Sequence, residues 1–250
     1  VLASNEGLQF LSVAFTGVDH VAMGYCKEKD IVVSNCSGYA NEAVSELTIG
    51  LAISFYRKLH ACDKAVRSGG TRAGLLGFEL SGKIFGIIGA GAIGLATAKL
   101  AKAFGCEVVF YTRTTKDIEG VRFVSLEELL ATADILSLHV PLTDATRGLI
   151  GADELSKMKK TAILINTARG PVVNSKALAE ALAEGRIAGA AIDVFEKEPP
   201  LDGAEALLEA PNVILAPHIG FATREALEKR AEIAFQNVAK WLGGTPQNVM

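Results

Sequence analysis

The chain has 250 residues, half of them hydrophobic and 6% aromatic, with 25 glycines and a formal net charge of −3. That length admits one large domain or two smaller ones, each with room for a core. The acidic balance and the lack of a long basic cluster speak against nucleic-acid binding. The longest stretch free of Asp, Glu, Lys and Arg, 84–98, stops short of the ~18 apolar residues of a membrane span.

Taken in order, the chain starts at Val1 within an apolar pattern and without a secretory signal, so an upstream segment is expected to be missing. The first part carries its own strand and turn pattern (Leu11–Phe15, Gly17, Ile31–Val33). Residues 1–37 and 223–250 are assigned to a smaller, incomplete α/β domain, and 38–222 to a larger one. One helix is expected over Asn41–Ser68. Its first half is apolar nearly all round (Val44, Leu47, Ile49, Leu51, Ile53, Phe55), which requires cover on more than one side, from a second subunit or from burial between domains.

From Leu80, apolar runs at Ile84–Ile88, Glu107–Tyr111, Ile135–Val140, Ala162–Asn166, Ala188–Asp193 and Val213–Ala216 alternate with helical stretches at Ile93–Phe104, Leu126–Thr132 and Lys176–Glu184. Gly105 fits a helix C-terminus. Near-continuous apolar strands separated by helices predict an α/β fold with a doubly wound parallel sheet. The last helix, Thr223–Leu242, shows a stripe of Leu227, Ala231, Ala234, Phe235, Val238 and Leu242. The four cysteines, Cys26, Cys36, Cys62 and Cys106, have neither C-x-x-C nor histidine-paired spacing, so reduced thiols of a cytoplasmic protein are expected, with no metal.

The most specific local signal is Gly89-Ala90-Gly91-Ala92-Ile93-Gly94, which follows a strand and opens a helix. In a dinucleotide-binding turn of this form, Gly89 permits the tight bend, Gly91 lets backbone approach a pyrophosphate, and Gly94 lets helix and strand pack closely. The N–H groups at the helix start, Ala92 and Ile93 among them, would face the anion. The alternative is a tight strand–helix turn with no nucleotide.

Ligands in such sheets bind beyond the carboxyl ends of the strands. Three strands are followed there by Thr167-Ala168-Arg169-Gly170, by Val194-Phe195-Glu196-Lys197-Glu198-Pro199 and by Pro217-His218-Ile219-Gly220. Hydride transfer to a ketone needs a proton for the oxygen, which a histidine can exchange near neutrality. A carboxylate beside it stabilises the imidazolium, and an arginine's planar fork suits an α-keto carboxylate. His218 is therefore read as acid/base, Glu198 as its partner and Arg169 as substrate anchor. Each taken alone also reads as a surface or cap residue. His139, at another strand end, fits packing as well as chemistry, and His20 and His60 read as structural.

These motifs together, from Gly17-Val18-Asp19 to the last helix, resemble the D-2-hydroxyacid dehydrogenases. The resemblance implies a Rossmann-type dinucleotide-binding domain with a second, smaller substrate domain, and the catalytic set Arg169, Glu198 and His218. It implies that backbone at Thr16 and Gly17 holds the substrate carboxylate, and that Val140, Pro141, Thr167, Ala168, Asp193 and Gly220 line the nicotinamide end. It also implies a homodimer formed through the 41–68 helix. One departure bears on the cofactor: where NAD-specific members place an acid for the ribose, this chain has Thr112-Arg113-Thr114. NADP is thus expected over NAD, unless Arg113 stacks on adenine or faces solvent. The expected activity is reduction of a small 2-oxoacid such as glyoxylate, hydroxypyruvate or a phosphoglycerate-like acid; the alternative is a dinucleotide-sensing, corepressor-like binding protein.

Overall fold

The computed structural model describes residues 2–5, 7–114, 118–201, 203 and 205–250. In chain order the elements are β1 (Phe10–Ser12), α1 (Met23–Glu28), β2 (Val32–Ser34), α2 (Asn41–Tyr56), α3 (Leu59–Arg67), β3 (Ile84–Ile88), α4 (Ala92–Ala103), β4 (Glu107–Tyr111) and β5 (Arg122–Phe123). There follow α5 (Leu126–Thr132), β6 (Ile135–Leu138), α6 (Ala152–Lys157), β7 (Ile163–Asn166), α7 (Ser175–Ala183), β8 (Gly189–Ile192), β9 (Val213–Leu215) and α8 (Arg224–Leu242). They form two compact units, one of Val1–Ala43 with Phe221–Met250 and one of Val44–Gly220.

The larger unit is built on a seven-stranded parallel sheet in the order β5-β4-β3-β6-β7-β8-β9. Every residue of β6, β7 and β8 is buried, because helices cover both faces and neither face can tolerate polar alternation. One core, with Leu136, Leu164 and Ala190, lies on one face; Ile135, Ile163 and Ala191 belong to a second core, joined by Ile49, Leu51 and Ala52 of α2. Thus α2 is largely covered within its own unit. The expected α/β class, with a parallel sheet and a second, smaller one, is borne out.

Three details differ from expectation. The strands at 135, 162 and 188 are shorter by one or two residues at an end, which puts Val140 and Asp193 in the loops just past their strands. The helix expected over Asn41–Ser68 is two helices, broken where Lys58 turns left-handed (φ 52°). The reason lies further along the chain: Phe78 N–H donates to the Tyr56 carbonyl (3.0 Å), and Gly77 lies so close to the Tyr56 and Arg57 backbone that a Cβ would overlap it. The helical ladder ends where that carbonyl is claimed. At the far end of α4, Gly105 (φ 80°) closes the helix, with Cys106 N–H on the Ala101 carbonyl at 3.1 Å.

The third difference is in the smaller unit, where β1 pairs in parallel with β2 over a core of Val13, Cys26, Ile31 and Val33. On α8 the expected apolar stripe faces outward, with Phe235 78% and Leu242 73% exposed. The inward face runs instead through Ala226, Arg230, Ile233, Asn237 and Trp241. Asn237, fully buried, donates to the Asn35 carbonyl (2.8 Å) and accepts from Gln247 Nε2 and Asn248 Nδ2, while Trp241 stacks on Phe10 with centroids 5.0 Å apart. Polar residues occupy the packed face, so an apolar count picks the wrong side.

Among the described residues no helix is long and apolar enough to cross a membrane. At the amino ends of β3 and β6 the larger unit is pinned by Asp134, whose Oδ2 accepts from Ile84 N–H and whose Oδ1 pairs with Lys159 Nζ, both at 2.9 Å. Removing this half-buried carboxylate strands one amide and one ammonium. Asp134→Ala is expected to lower unfolding free energy by about 1–3 kcal/mol, read from urea denaturation, with little change in ligand binding at the opposite end of the sheet.

Candidate active site

The glycine turn opens at the sheet's point of reversal, where β3 has β4 on one side and β6 on the other, the place at which such sheets leave a crevice. Gly89 has φ 106°, and a Cβ there would overlap the His139 carbonyl. A Cβ on Gly94 would overlap the Gly89 carbonyl, so α4 can lie against β3 only without one. At Gly91, the N-cap of α4, a Cβ would meet nothing within 4 Å. Gly89 and Gly94 are required by the chain's own packing; Gly91 leaves open space in front of the α4 amides, Ala92 and Ile93 included.

Beside this turn lies a cavity of about 190 Å³ lined by Ile88, Thr112, Arg113, Thr114, Val140 and Pro141 among others. The structure thus gathers around one hollow five residues proposed from the sequence. Parallel register explains it: Ile88 lies opposite both Tyr111 and Leu138, so the loops after β3, β4 and β6 leave the sheet at one level.

Further along the same rim, His218 Nδ1 lies 3.0 Å from Glu198 Oε1. A carboxylate only accepts, so Nδ1 carries the proton. The two side chains are 32% and 48% exposed, open enough to meet a ligand. His218 has φ 56°, a left-handed backbone rare outside glycine. What holds it there is Asp193, 1% exposed, whose two carboxylate oxygens accept the N–H groups of Ile219 and Gly220, each at 2.8 Å. Burial raises the Asp193 pKa; the two amide bonds and the nearby His218 pull it back, and Glu198 pushes it up. Asp193, proposed from the resemblance as a cofactor contact, has both oxygens turned to this loop.

Arg169 follows β7 by way of a turn that Asn166 ties down. Asn166 Oδ1 accepts from Ala168 N–H (3.0 Å), and its Nδ2 donates to the Arg169 carbonyl (2.9 Å). The Arg169 guanidinium donates to the Ala168 carbonyl at 2.8 Å. The next residue, Gly170, sits against the backbone of Phe195 and Glu196, where any Cβ would overlap the Phe195 carbonyl. That contact brings the loop after β7 onto the loop after β8. Thr167 is steadied from α2: Thr48 Oγ1 donates to the Val44 carbonyl (2.8 Å) and lies 3.1 Å from Thr167 Oγ1, so the Thr167 hydroxyl donates to it. Asn166, Gly170 and Thr48 carry roles that sequence reasoning did not assign. For Asn166 the signal was present, an amide side chain closing an apolar run.

Thr16 and Gly17 belong to the smaller unit. The Thr16 carbonyl accepts from Asn35 Nδ2 (2.8 Å), and its hydroxyl lies 3.5 Å from the Cys36 carbonyl, so this segment is fixed against residues 35–36. His139 is a packed residue, with Nε2 2.9 Å from Ser137 Oγ and its pKa pushed by burial down to about 3.

The family model described as D-isomer specific 2-hydroxyacid dehydrogenase, NAD binding domain, matches residues 49–220. A glyoxylate reductase of Thermofilum pendens is 42% identical over 254 residues, covering 98% of this chain and 75% of that protein. An acyclic imino acid reductase (Bsp5) in complex with NADPH and D-Arg superposes with a TM-score of 0.92 at 31% identity, covering 97% of this chain and 78% of that one. A D-lactate dehydrogenase from Aquifex aeolicus, complexed with NAD and lactic acid, gives a TM-score of 0.88 at 32% identity, covering 95% and 77%.

The His139 shift fixes the sign of one pH effect. Its folded pKa of about 3 lies below the ordinary 6.5, so below pH 6.5 the unfolded chain takes up a proton that the folded chain refuses. The stability concerned is fully present above pH 6.5 and is lost as pH falls from there toward 3. His139 as a whole residue is only partly buried, so the loss between pH 7.5 and 5 is roughly 1–2 kcal/mol. Urea midpoints should fall over that range in the wild type, and fall less in His139→Asn.

Proposed function

The chain belongs to the D-isomer specific 2-hydroxyacid dehydrogenase family, and from that premise we propose that it reduces a small 2-oxoacid to the D-2-hydroxyacid, with His218 as acid/base, Glu198 as its partner and Arg169 as substrate anchor. The observation that carries this reading is the 3.0 Å Glu198–His218 pair at the carboxyl rim of the sheet. With Nδ1 donating to the carboxylate, proton exchange with the substrate oxygen falls to Nε2. Glu198 stabilises the imidazolium before the proton is delivered. Arg169 pairs its planar fork with the carboxylate of the 2-oxoacid and polarises the neighbouring carbonyl. In the smaller unit, the family resemblance supports the backbone at Thr16 and Gly17 as substrate-binding. The name of the Thermofilum relative supports glyoxylate as a substrate to try first.

The turn fits a nicotinamide dinucleotide: Gly89 and Gly94 close up the fold around it, while Gly91 keeps room before the helix amides. Gly89, Gly91, Ala92, Ile93 and Gly94 would hold its pyrophosphate, Thr112, Arg113 and Thr114 its adenosine end, and Val140, Pro141, Thr167, Ala168, Asp193 and Gly220 its nicotinamide end. When bound, the reduced nicotinamide supplies the hydride for the keto carbon. We assign 38–222 to dinucleotide binding and 1–37 with 223–250 to the substrate. Exposed apolar side chains at Leu59 and Val66, and at Leu76 and Phe78 just after it, support a homodimer formed through the 41–68 segment. Four unpaired cysteines support the cytoplasmic assignment.

Proton transfer by a positioned side chain contributes typically about 10²–10⁴ in rate. His218→Ala should therefore lower kcat for glyoxylate at least a hundredfold, and Glu198→Gln should lower it while shifting the pH profile. Full activity in His218→Ala would remove the assignment.

For the cofactor we propose NADP over NAD. Arg113 lines the cavity beside the turn, and among the described residues none of those lining it carries a carboxylate to repel a 2′-phosphate. A charge-assisted hydrogen bond contributes roughly 1.5–3 kcal/mol, or about 10–100-fold. Steady-state kinetics should show kcat/KM higher with NADPH than with NADH, and Arg113→Ala should erase the difference through KM. Equal values with both cofactors in the wild type would overturn the preference.

A further inference from the structure

Thr48 lies fully buried in the middle of α2, among apolar neighbours, where a hydroxyl needs partners. Its Oγ1 is 2.8 Å from the Val44 carbonyl, one turn back, and 3.1 Å from Thr167 Oγ1. A carbonyl only accepts, so the single Thr48 proton goes to Val44, and Thr48 meets Thr167 with a lone pair. The Thr167 proton is therefore directed into the helix. What remains to the Thr167 hydroxyl is acceptor capacity.

All three residues belong to the larger unit. The wall that holds them serves a neighbouring loop as well: a Cβ on Gly220 would stand 3.4 Å from Val44 Cγ2 and 3.7 Å from Leu47 Cδ2. Sheet register relates Thr167 to the glycine turn. Ile88, Leu138, Asn166 and Ile192 are paired side by side across β3, β6, β7 and β8, which puts Gly89, His139, Thr167 and Asp193 in the next row. Thr167 thus stands two strands, about 10 Å, from the turn that fits a pyrophosphate. In the same row His139 is engaged with Ser137, and Asp193 with the amides of Ile219 and Gly220.

We propose that Thr48 is a positioning residue for the cofactor: by taking the Thr167 proton it keeps that hydroxyl an acceptor, matched to the NH2 of the nicotinamide carboxamide. The inference rests on the dinucleotide reading above. A carboxamide offers a donor at one end and an acceptor at the other. A hydroxyl free to rotate serves either end, whereas one whose proton is committed serves only the donor. Thr48 touches no ligand itself; it fixes which end of the carboxamide Thr167 receives.

The test is calorimetric titration of the full chain with whichever of NADP and NAD binds more tightly, and with its acetylpyridine analogue, in which a methyl replaces the carboxamide NH2. The wild type should bind the parent about 3–10-fold more tightly than the analogue. Thr48→Val, of nearly equal volume, should bring the two to equal Kd by weakening the parent alone, and Thr167→Val should do the same. Thr48→Ser, which keeps the hydroxyl and its bond to Val44, should retain the wild-type ratio. The proposal is overturned if the wild type does not distinguish parent from analogue, or if the ratio survives in Thr48→Val. It is equally overturned if Thr48→Val weakens both ligands alike, the result of a purely structural contact between α2 and β7. Absence of binding by either dinucleotide would remove the cofactor reading itself and this inference with it. A Thr48-dependent ratio without turnover of any 2-oxoacid would support the inference and remove only the reductase reading.

Discussion

A carboxylate withdrawn from water loses its hydration and must be repaid by donors held close to it; once those donors are backbone amides, the segment that carries them cannot move without stranding the charge. Asp193 stands in this position at the end of β8, gripping the amides of Ile219 and Gly220. The backbone of His218 is left-handed as a result, which costs a non-glycine residue about 1–2 kcal/mol. Two hydrogen bonds to an ionised acceptor contribute about 1.5–3 kcal/mol each, so the grip outweighs the strain. The imidazole is thereby presented to Glu198, on the loop that Asp193 itself begins. A single buried acid thus fixes where the histidine sits and which carboxylate it meets.

Absent side chains do comparable work elsewhere on the rim. The loop after β7 reaches the loop after β8 because Gly170 has no Cβ to strike the Phe195 carbonyl, and α2 reaches β8 because a Cβ on Gly189 would overlap the Phe55 ring. At the opposite side of the switch point, Gly89 and Gly94 allow β3, α4 and the loop after β6 to converge. Parallel register then lines up the loops at one level. The glycine turn and the Glu198–His218 pair therefore depend on the same property, close backbone approach at the carboxyl ends of adjacent strands, rather than on separate local designs.

Much of this was legible in the sequence, for reasons that differ by element. Buried parallel strands are apolar without alternation, so β3, β4, β6, β7 and β8 announced themselves, and the order strand, glycine turn, helix identified where an anion could be held. Glu198 and His218 could be named because each follows a strand of the same sheet. Helix α8 misled because its packed face holds Arg230, set among aromatic rings, and Asn237, whose amide is satisfied by backbone and amide partners distant in sequence. The break at Lys58 was hidden because it is set by Phe78, 20 residues further on. Asn166 and Thr48 act through hydrogen bonds across a turn and between α2 and β7, contacts that no local pattern encodes.

Charge placement on the larger unit constrains the chemistry in turn. Glu198 and Asp193 both lie near His218, and Glu198 is among the influences that raise the Asp193 pKa. A 2-oxoacid approaching this rim brings a further negative charge toward two carboxylates, and without a cation its binding would be opposed. On the proposed roles, Arg169, delivered by the adjacent strand on a loop that Asn166 ties down, is the cation that would meet that need. On that reading the signs are not interchangeable: an acid in place of Arg169 would add a third negative charge to a rim that already holds Glu198 and Asp193 and would oppose an anionic substrate.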